Sequence, residues 1–105
     1  MNRSYAEYAP AFKAISDETR LKIIDMLFYE EELCACKILE EFSITQPTLS
    51  YHMRILTESG FVNARKDGAW MKYTLNKERT EEVLGFLSEI MNKDGKTVKC
   101  TTCGK

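Results

Sequence analysis

The fold is decided by the stretch Ser43-Ile44-Thr45-Gln46-Pro47-Thr48-Leu49-Ser50-Tyr51-His52-Met53-Arg54-Ile55-Leu56-Thr57-Glu58-Ser59-Gly60. Thr45 is a good N-cap, and Pro47 falls in the first turn, where its missing N–H costs little. Gly60 is the expected residue just past the helix end. Apolar side chains recur at i, i+4 and i+7, at Leu49, Met53 and Leu56. The stretch therefore predicts a helix that ends at about Ser59 and buries this face.

A β-hairpin is predicted directly after this helix. Val62 and Ala64 alternate with polar residues, and so does a second set made of Met71, Tyr73 and Leu75. Asp67-Gly68 lies between the two segments and is a strong hairpin signal. The tip of the hairpin, residues 65–68, carries two basic side chains.

Three helices are predicted before the central stretch. The first covers about 5–15, although Pro10 favours a late start. Ser16 or Asp17 caps the second, whose buried stripe is expected at Leu21, Ile24, Leu27 and Phe28. The third is short, ends at about Phe42, and carries Cys34, Ile38 and Leu39.

Asn76 is predicted to cap a last helix with a wide apolar stripe, formed by Val83, Leu84, Leu87, Ile90 and Met91. From Asn92 onward the chain is rich in Lys, Thr and Gly. We therefore expect one domain over residues 1–92 and a flexible tail over 93–105 that carries Cys100 and Cys103.

The element order ααααββα predicts an α+β, mostly α fold: a winged helix-turn-helix with five helices and a two-stranded hairpin as the wing. A major groove accepts one α-helix, and a basic hairpin reaches backbone phosphates or a minor groove. Helix-turn-helix folds also occur in proteins that bind no DNA. The residues expected to contact DNA are Thr45, Gln46, Thr48, Ser50, Tyr51, Arg54, Arg65, Lys66 and Lys72.

Three segments, residues 15–21, 32–36 and 45–52, resemble the arsenical-repressor (ArsR/SmtB) family of metal-sensing repressors. The Leu33-Cys34-Ala35-Cys36 element is the specific part of this resemblance. It implies a homodimer, paired through the first and last helices, that represses a resistance operon and releases operator DNA on binding a metal or metalloid. The residues expected at the dimer interface are Tyr5, Tyr8, Phe12, Val83, Leu84, Leu87 and Ile90.

Cys34 and Cys36 are two residues apart, and side chains at that spacing point about 200° apart in a regular helix. Both can bind one ion only at a helix N-terminus or in a distorted first turn. Some relatives carry a third cysteine where this chain has Leu39. The remaining thiols, Cys100 and Cys103, are therefore expected to complete the site from the tail, within a protomer or across the dimer. The alternatives are that one thiol packs as a small hydrophobe and that the tail pair is passive.

Thiolates select soft or borderline ions. Three thiolates suit As(III) or Sb(III), which the resemblance favours, whereas four suit Cd(II) or Zn(II), and Pb(II) is a further alternative. The family's other sensor site, built from His and carboxylates, cannot be assembled because His52 is the sole histidine. His52 is expected near the groove or beside the core, and not as a ligand.

Composition excludes several classes of protein. The chain has 105 residues, 44% of them hydrophobic and 30% charged, which is typical of one small globular domain. Neither a secretory signal nor a membrane span is evident, so we expect a cytoplasmic protein whose cysteines serve metal or redox chemistry. A net charge of −1 argues against indiscriminate nucleic-acid binding, yet residues 43–77 hold five basic and two acidic side chains.

Two other function classes are a redox-sensing repressor and an enzyme. A repressor that senses thiol oxidation without a metal stays open as an alternative. An enzyme is not expected, because no strand-turn-helix context surrounds either cysteine pair and no second catalytic group is near in sequence. No small organic ligand is expected.

Overall fold

The computed structural model describes residues 5–92. The elements are α1 (Tyr5–Ile15), α2 (Glu18–Tyr29), β1 (Leu33–Cys34), α3 (Ala35–Glu40), α4 (Gln46–Glu58), β2 (Val62–Asp67), β3 (Trp70–Leu75) and α5 (Lys77–Met91). This confirms the predicted winged helix-turn-helix, with one addition. The sheet has three antiparallel strands in the order β1-β3-β2, because the short strand β1 pairs with β3.

Helix α4 begins and ends as its local sequence predicts. The Thr45 side chain accepts a hydrogen bond from the backbone N–H of Thr48. At the other end Gly60 has φ +90°, and the N–H groups of Gly60 and Phe61 bond to the carbonyls of Thr57 and Leu56. This pattern is a Schellman motif, so it satisfies carbonyls that the helix end would leave open.

The hydrophobic core lies beneath α4. Leu49, Met53 and Leu56 are all buried, and they pack with side chains from every other helix. On α5 the core residues are Val83 and Phe86, and Phe86 stacks on Tyr8 of α1 with ring centroids 4.3 Å apart. Phe86 was absent from the predicted stripe.

Several expectations about the upstream helices are wrong. Pro10 does not delay α1, which already runs from Tyr5, because the burial of Ala11 and Ala14 holds the helix around it. In α2 the buried residues are Ile23 and Leu27, whereas Leu21 and Phe28 are exposed. The predicted stripe is thus confirmed at Leu27 and at Ile24, which packs against the core, and is wrong at Leu21 and Phe28.

Two expectations about the third helix and the hairpin also need correction. Helix α3 ends at Glu40 and excludes Cys34, which belongs to β1 and caps the helix. In β2 Val62 is buried, whereas Ala64 and the rest of the strand are exposed. The hairpin turn itself is Gly68-Ala69, since Asp67 pairs with Trp70. Gly68 has φ +65°, which a two-residue turn of the primed type requires.

Candidate metal centre and nucleic-acid interface

Cys34 and Cys36 lie side by side at the start of α3. Cys34 has the extended backbone of an N-cap, with φ −80° and ψ 157°, while Cys36 is the second residue of the helix. Their Cα atoms are 5.4 Å apart and their sulfurs are paired as a disulfide. The extended backbone at Cys34 removes the angular separation that a regular helix would impose, so both sulfurs can reach one ion after reduction.

The thiol pair opens onto a depression of about 280 Å³ that is lined by Glu32, Cys34, Cys36, Trp70 and Lys72. Cys36 and Trp70 also line a neighbouring depression of about 240 Å³, whose far wall includes Gln46 and Ser50 of α4. The thiols are thus adjacent to both the wing and the expected DNA-reading helix.

Within residues 5–92, no group of three or more Cys, His, Asp or Glu side chains is arranged to hold a metal ion. Cys34 and Cys36 are the two cysteines within residues 5–92. Cys100 and Cys103, the expected donors, lie outside the described residues.

The exposed face of α4 carries the side chains that were predicted to contact DNA, namely Thr45, Gln46, Thr48, Ser50, Tyr51 and Arg54. Thr45 and Thr48 are bonded to each other through their hydroxyls at 3.0 Å, as part of the helix cap. In the part of the chain that the structure describes, Gln46, Ser50 and Arg54 make no side-chain hydrogen bond or ion pair. Their donors can bind DNA without breaking a contact.

The basic side chains of the wing differ from those of α4, because two of the three that were predicted to contact DNA already form ion pairs with carboxylates. Arg65 donates from Nε and Nη2 to the two carboxylate oxygens of Glu32, at 2.8 and 2.9 Å. Lys72 Nζ lies 3.2 Å from Asp67 Oδ2. The hydrogen bond from Arg65 lowers the pKa of Glu32, and the same bond raises the pKa of Arg65. Lys66 is exposed at the tip.

Glu32 is the residue that sequence reasoning missed. Its partner Arg65 is 33 positions away, so no local pattern indicates the pair. The available signal was the acidic run 30–32 directly before Leu33, together with the basic hairpin.

His52 packs between α4 and the start of α2. Arg20 Nη1 lies 2.8 Å from His52 Nδ1, and Asp17 Oδ2 lies 3.9 Å from the same nitrogen. The backbone hydrogen bond from Arg20 lowers the pKa of Asp17. His52 is mostly buried, which places it beside the core rather than at the groove.

The residues expected at a dimer interface divide into three groups by burial. Tyr8 and Val83 are buried within the single chain, so they belong to its core. Tyr5, Leu84 and Ile90 are exposed, and Met91 beside them is 77% exposed. Phe12 and Leu87 are half-buried. Helices α1 and α5 therefore present apolar side chains to solvent.

The chain is similar to several known proteins. The family described as bacterial regulatory protein, arsR family, matches residues 17–64, from the cap of α2 into β2. The arsenical resistance operon repressor of Staphylococcus aureus is 40% identical over 92% of this chain and 91% of its own length. That of Staphylococcus xylosus is 47% identical over 87% of this chain and 86% of its own.

The chain belongs to the ArsR family. A crystal structure of another ArsR family transcriptional regulator, 20% identical, superposes with a TM-score of 0.82 over 93% of this chain and all of that one. This ArsR-family chain is therefore a DNA-binding transcriptional regulator and not a member of an enzyme family. Within residues 5–92, no helix is long and apolar enough to cross a membrane.

Proposed function

We propose that this ArsR-family chain is a homodimeric repressor that binds operator DNA and is released when As(III) or Sb(III) binds its cysteine thiolates. The observation that carries the proposal is the placement of Cys34 and Cys36, side by side at the start of α3. The two staphylococcal relatives named as arsenical resistance operon repressors support the choice of arsenic.

The DNA-binding part of the proposal uses α4 in the major groove and the wing on the backbone. Gln46 suits adenine or a phosphate, and Ser50 and Thr48 suit several base edges. Arg54, Arg65, Lys66 and Lys72 supply positive charge for phosphates. Two copies related by a two-fold axis would place two such helices in successive major grooves.

The proposed dimer pairs the exposed apolar faces of α1 and α5. Tyr5, Leu84, Ile90 and Met91 are large apolar residues at the surface of these helices. An apolar patch of this kind is typical of an interface in a soluble protein.

The proposed inducer site is built on the chemistry of its donors. Arsenous acid exchanges its hydroxyls for thiolates, so three cysteine thiols would bind one As(III) and release three waters. Cys34 and Cys36 supply two thiolates, and Cys100, Cys103 or both would supply the rest. Cd(II), Pb(II) or Zn(II) bound to the same cysteines is the alternative for the inducer.

The proposed switch follows from the position of α3 immediately before α4. An ion on Cys34 and Cys36 fixes the first turn of α3, and it lowers DNA affinity if it binds the form that fits DNA less well. Shifting an equilibrium from 1:99 to 99:1 needs about 5.5 kcal/mol of differential binding. Ligation by several thiolates is strong enough to supply that energy.

The experiment that tests this function is an operator-binding titration on the DNA upstream of the chain's own gene. Arsenite, antimonite, cadmium, lead and zinc are added separately to the reduced, full-length protein. We expect arsenite and antimonite to release DNA at the lowest concentrations. If only cadmium, lead or zinc releases DNA, that ion is the inducer in place of arsenic. If the protein binds no upstream DNA, the proposed repressor function is wrong.

A second candidate function is redox sensing, which the pairing of the two sulfurs favours. Hydrogen peroxide would oxidise both thiols to the disulfide and be reduced to two molecules of water, with no metal required. Operator binding in the presence of peroxide and a chelator separates the two functions. Release under those conditions, with a matching loss of free thiols, would support the redox sensor.

A further inference from the structure

The thiol strand and the wing share one row of side chains. In the sheet register Cys34 is opposite Lys72, and Lys72 is in turn opposite Arg65. Residues directly opposite each other on antiparallel strands present their side chains to the same face. Cys34 on β1 is therefore two strands away from the wing arginine, with only Lys72 between them.

Glu32, on the segment that carries Cys34, contacts Arg65 directly. It lies two residues before Cys34, and its carboxylate accepts both Nε and Nη2 of Arg65. Such a bidentate pair fixes the plane and direction of the guanidinium. The third nitrogen, Nη1, is 3.9 Å from Asp67 Oδ2 and stays outside the pair with Glu32. The position of Arg65 is thus set by the segment that carries Cys34.

We propose that Glu32 is a positioning residue that transmits inducer binding at Cys34 to Arg65 in the wing. The inference rests on the proposed function, because it assigns the route by which that function operates. Without inducer, Glu32 fixes the guanidinium of Arg65, and Nη1 exchanges its 3.9 Å ion pair with Asp67 for a DNA phosphate when the operator binds. An inducer on Cys34 and Cys36 shifts the backbone at residues 32–34, the bidentate pair opens, and Arg65 leaves that position.

The matched variants are Glu32→Gln and Glu31→Gln. Both remove one negative charge from the same acidic run, but Glu31 is exposed and makes no ion pair among the described residues. Each variant is titrated with arsenite while the fluorescence of Trp70 is followed. Trp70 is the sole tryptophan of the chain and lines the depression beside both cysteines, so it reports inducer binding. Operator affinity is then measured with and without saturating arsenite.

In Glu32→Gln we expect the arsenite affinity to stay within about twofold of the wild type. We expect the factor by which arsenite weakens operator binding to be smaller by about three- to fivefold, which is the effect expected from the loss of an exposed ion pair. Glu31→Gln should match the wild type in both. An undiminished arsenite response in Glu32→Gln would overturn the role of Glu32 and leave the proposed function intact. A wild-type protein that binds arsenite but keeps its operator would overturn the proposed function itself.

A second measurement observes the pair directly. The Nε–H signal of Arg65 in a ¹⁵N–¹H spectrum, assigned by loss in Arg65→Lys, should shift as arsenite is added and reach its end point with the Trp70 signal. Glu32→Gln without arsenite should already show the shifted position. A signal that stays unmoved while the operator is fully released would contradict the proposal.

Discussion

Helix α4 and the wing hold their polar side chains in different ways. On α4, the donors of Gln46, Ser50 and Arg54 make no side-chain contact within residues 5–92, and the helix stands on a fully buried face. In the wing, Arg65 and Lys72 are bound to carboxylates, and the strands extend beyond the core. The position of the helix is therefore set by the core, whereas the positions of the wing cations are set by the carboxylates that bind them.

This difference indicates which region is open to regulation. A helix held by buried side chains moves only with the core. The wing is held by exposed ion pairs, which are individually weak because solvent screens the charges. One of these pairs begins two residues from Cys34, and it is the pair on which the proposed route from the thiols to the wing depends.

The largest expected effect is on the anchoring of α4. Leu56→Ala should reduce the free energy of unfolding by about 2–5 kcal/mol, because Leu56 is completely buried and its loss leaves a cavity. Lys66→Ala at the wing tip is the control and should stay within about 0.5 kcal/mol of the wild type. Urea unfolding followed by circular dichroism measures both. Equal losses of unfolding free energy in the two variants would contradict the proposed difference between α4 and the wing.

The second effect concerns DNA specificity. Gln46→Ala should weaken operator binding by about 1–3 kcal/mol while changing non-specific DNA binding little, because α4 is proposed to read bases. Lys66→Ala should weaken both and lower the salt dependence by about one unit of slope. Fluorescence anisotropy over a series of salt concentrations measures these quantities. A Gln46 variant that loses affinity equally for all DNA would show that the helix only contacts phosphates.

A third comparison uses two glycines with positive φ. At Gly60, the end of α4, an added Cβ would approach Arg79 Cγ to 3.3 Å, whereas at Gly68 in the wing it would meet open space. Gly60→Ala should therefore destabilise the protein by about 1–3 kcal/mol, and Gly68→Ala by about 1 kcal/mol from the backbone alone. Thermal or urea unfolding measures both, and a larger loss at Gly68 would contradict this order.

The sequence predicted α4 well because the limits of this helix are set by local sequence. Its limits depend on Thr45, Pro47 and Gly60, which act through their immediate neighbours. The strand β1 has only two residues and exists because β3 pairs with it across the fold. No periodicity can reveal so short a strand.

Long-range partners also explain the errors in the candidate site. Arg65 and Lys72 were correctly recognised as basic wing residues, but their pairing with Glu32 and Asp67 depends on strand register and not on local sequence. The exposure of Leu21 and Phe28 has a similar origin, because the phase of α2 is set by the helices it packs against. The proximity of Cys34 and Cys36 depends on local structure, because Cys34 precedes the helix and has an extended backbone.

The smallest expected effect is a pH dependence in the wing. Because Arg65 lowers the pKa of Glu32, the pair adds stability that is complete above the unfolded pKa of about 4.3 and is lost as pH falls through the lower folded pKa. The stability difference between wild type and Glu32→Gln should thus shrink as pH falls from about 7 to about 2. Urea midpoints across this range test it, with Glu31→Gln as the control. A constant difference would indicate that the carboxylate charge is not involved.

The central claim is that Cys34 and Cys36 control DNA binding. Its most direct test is the operator affinity of the reduced wild type and of the Cys34→Ser/Cys36→Ser double variant, each measured with and without arsenite. We predict equal affinities without arsenite, since neither thiol lies on the exposed face of α4, and release by arsenite in the wild type alone. A double variant that still releases its operator on adding arsenite would contradict the claim.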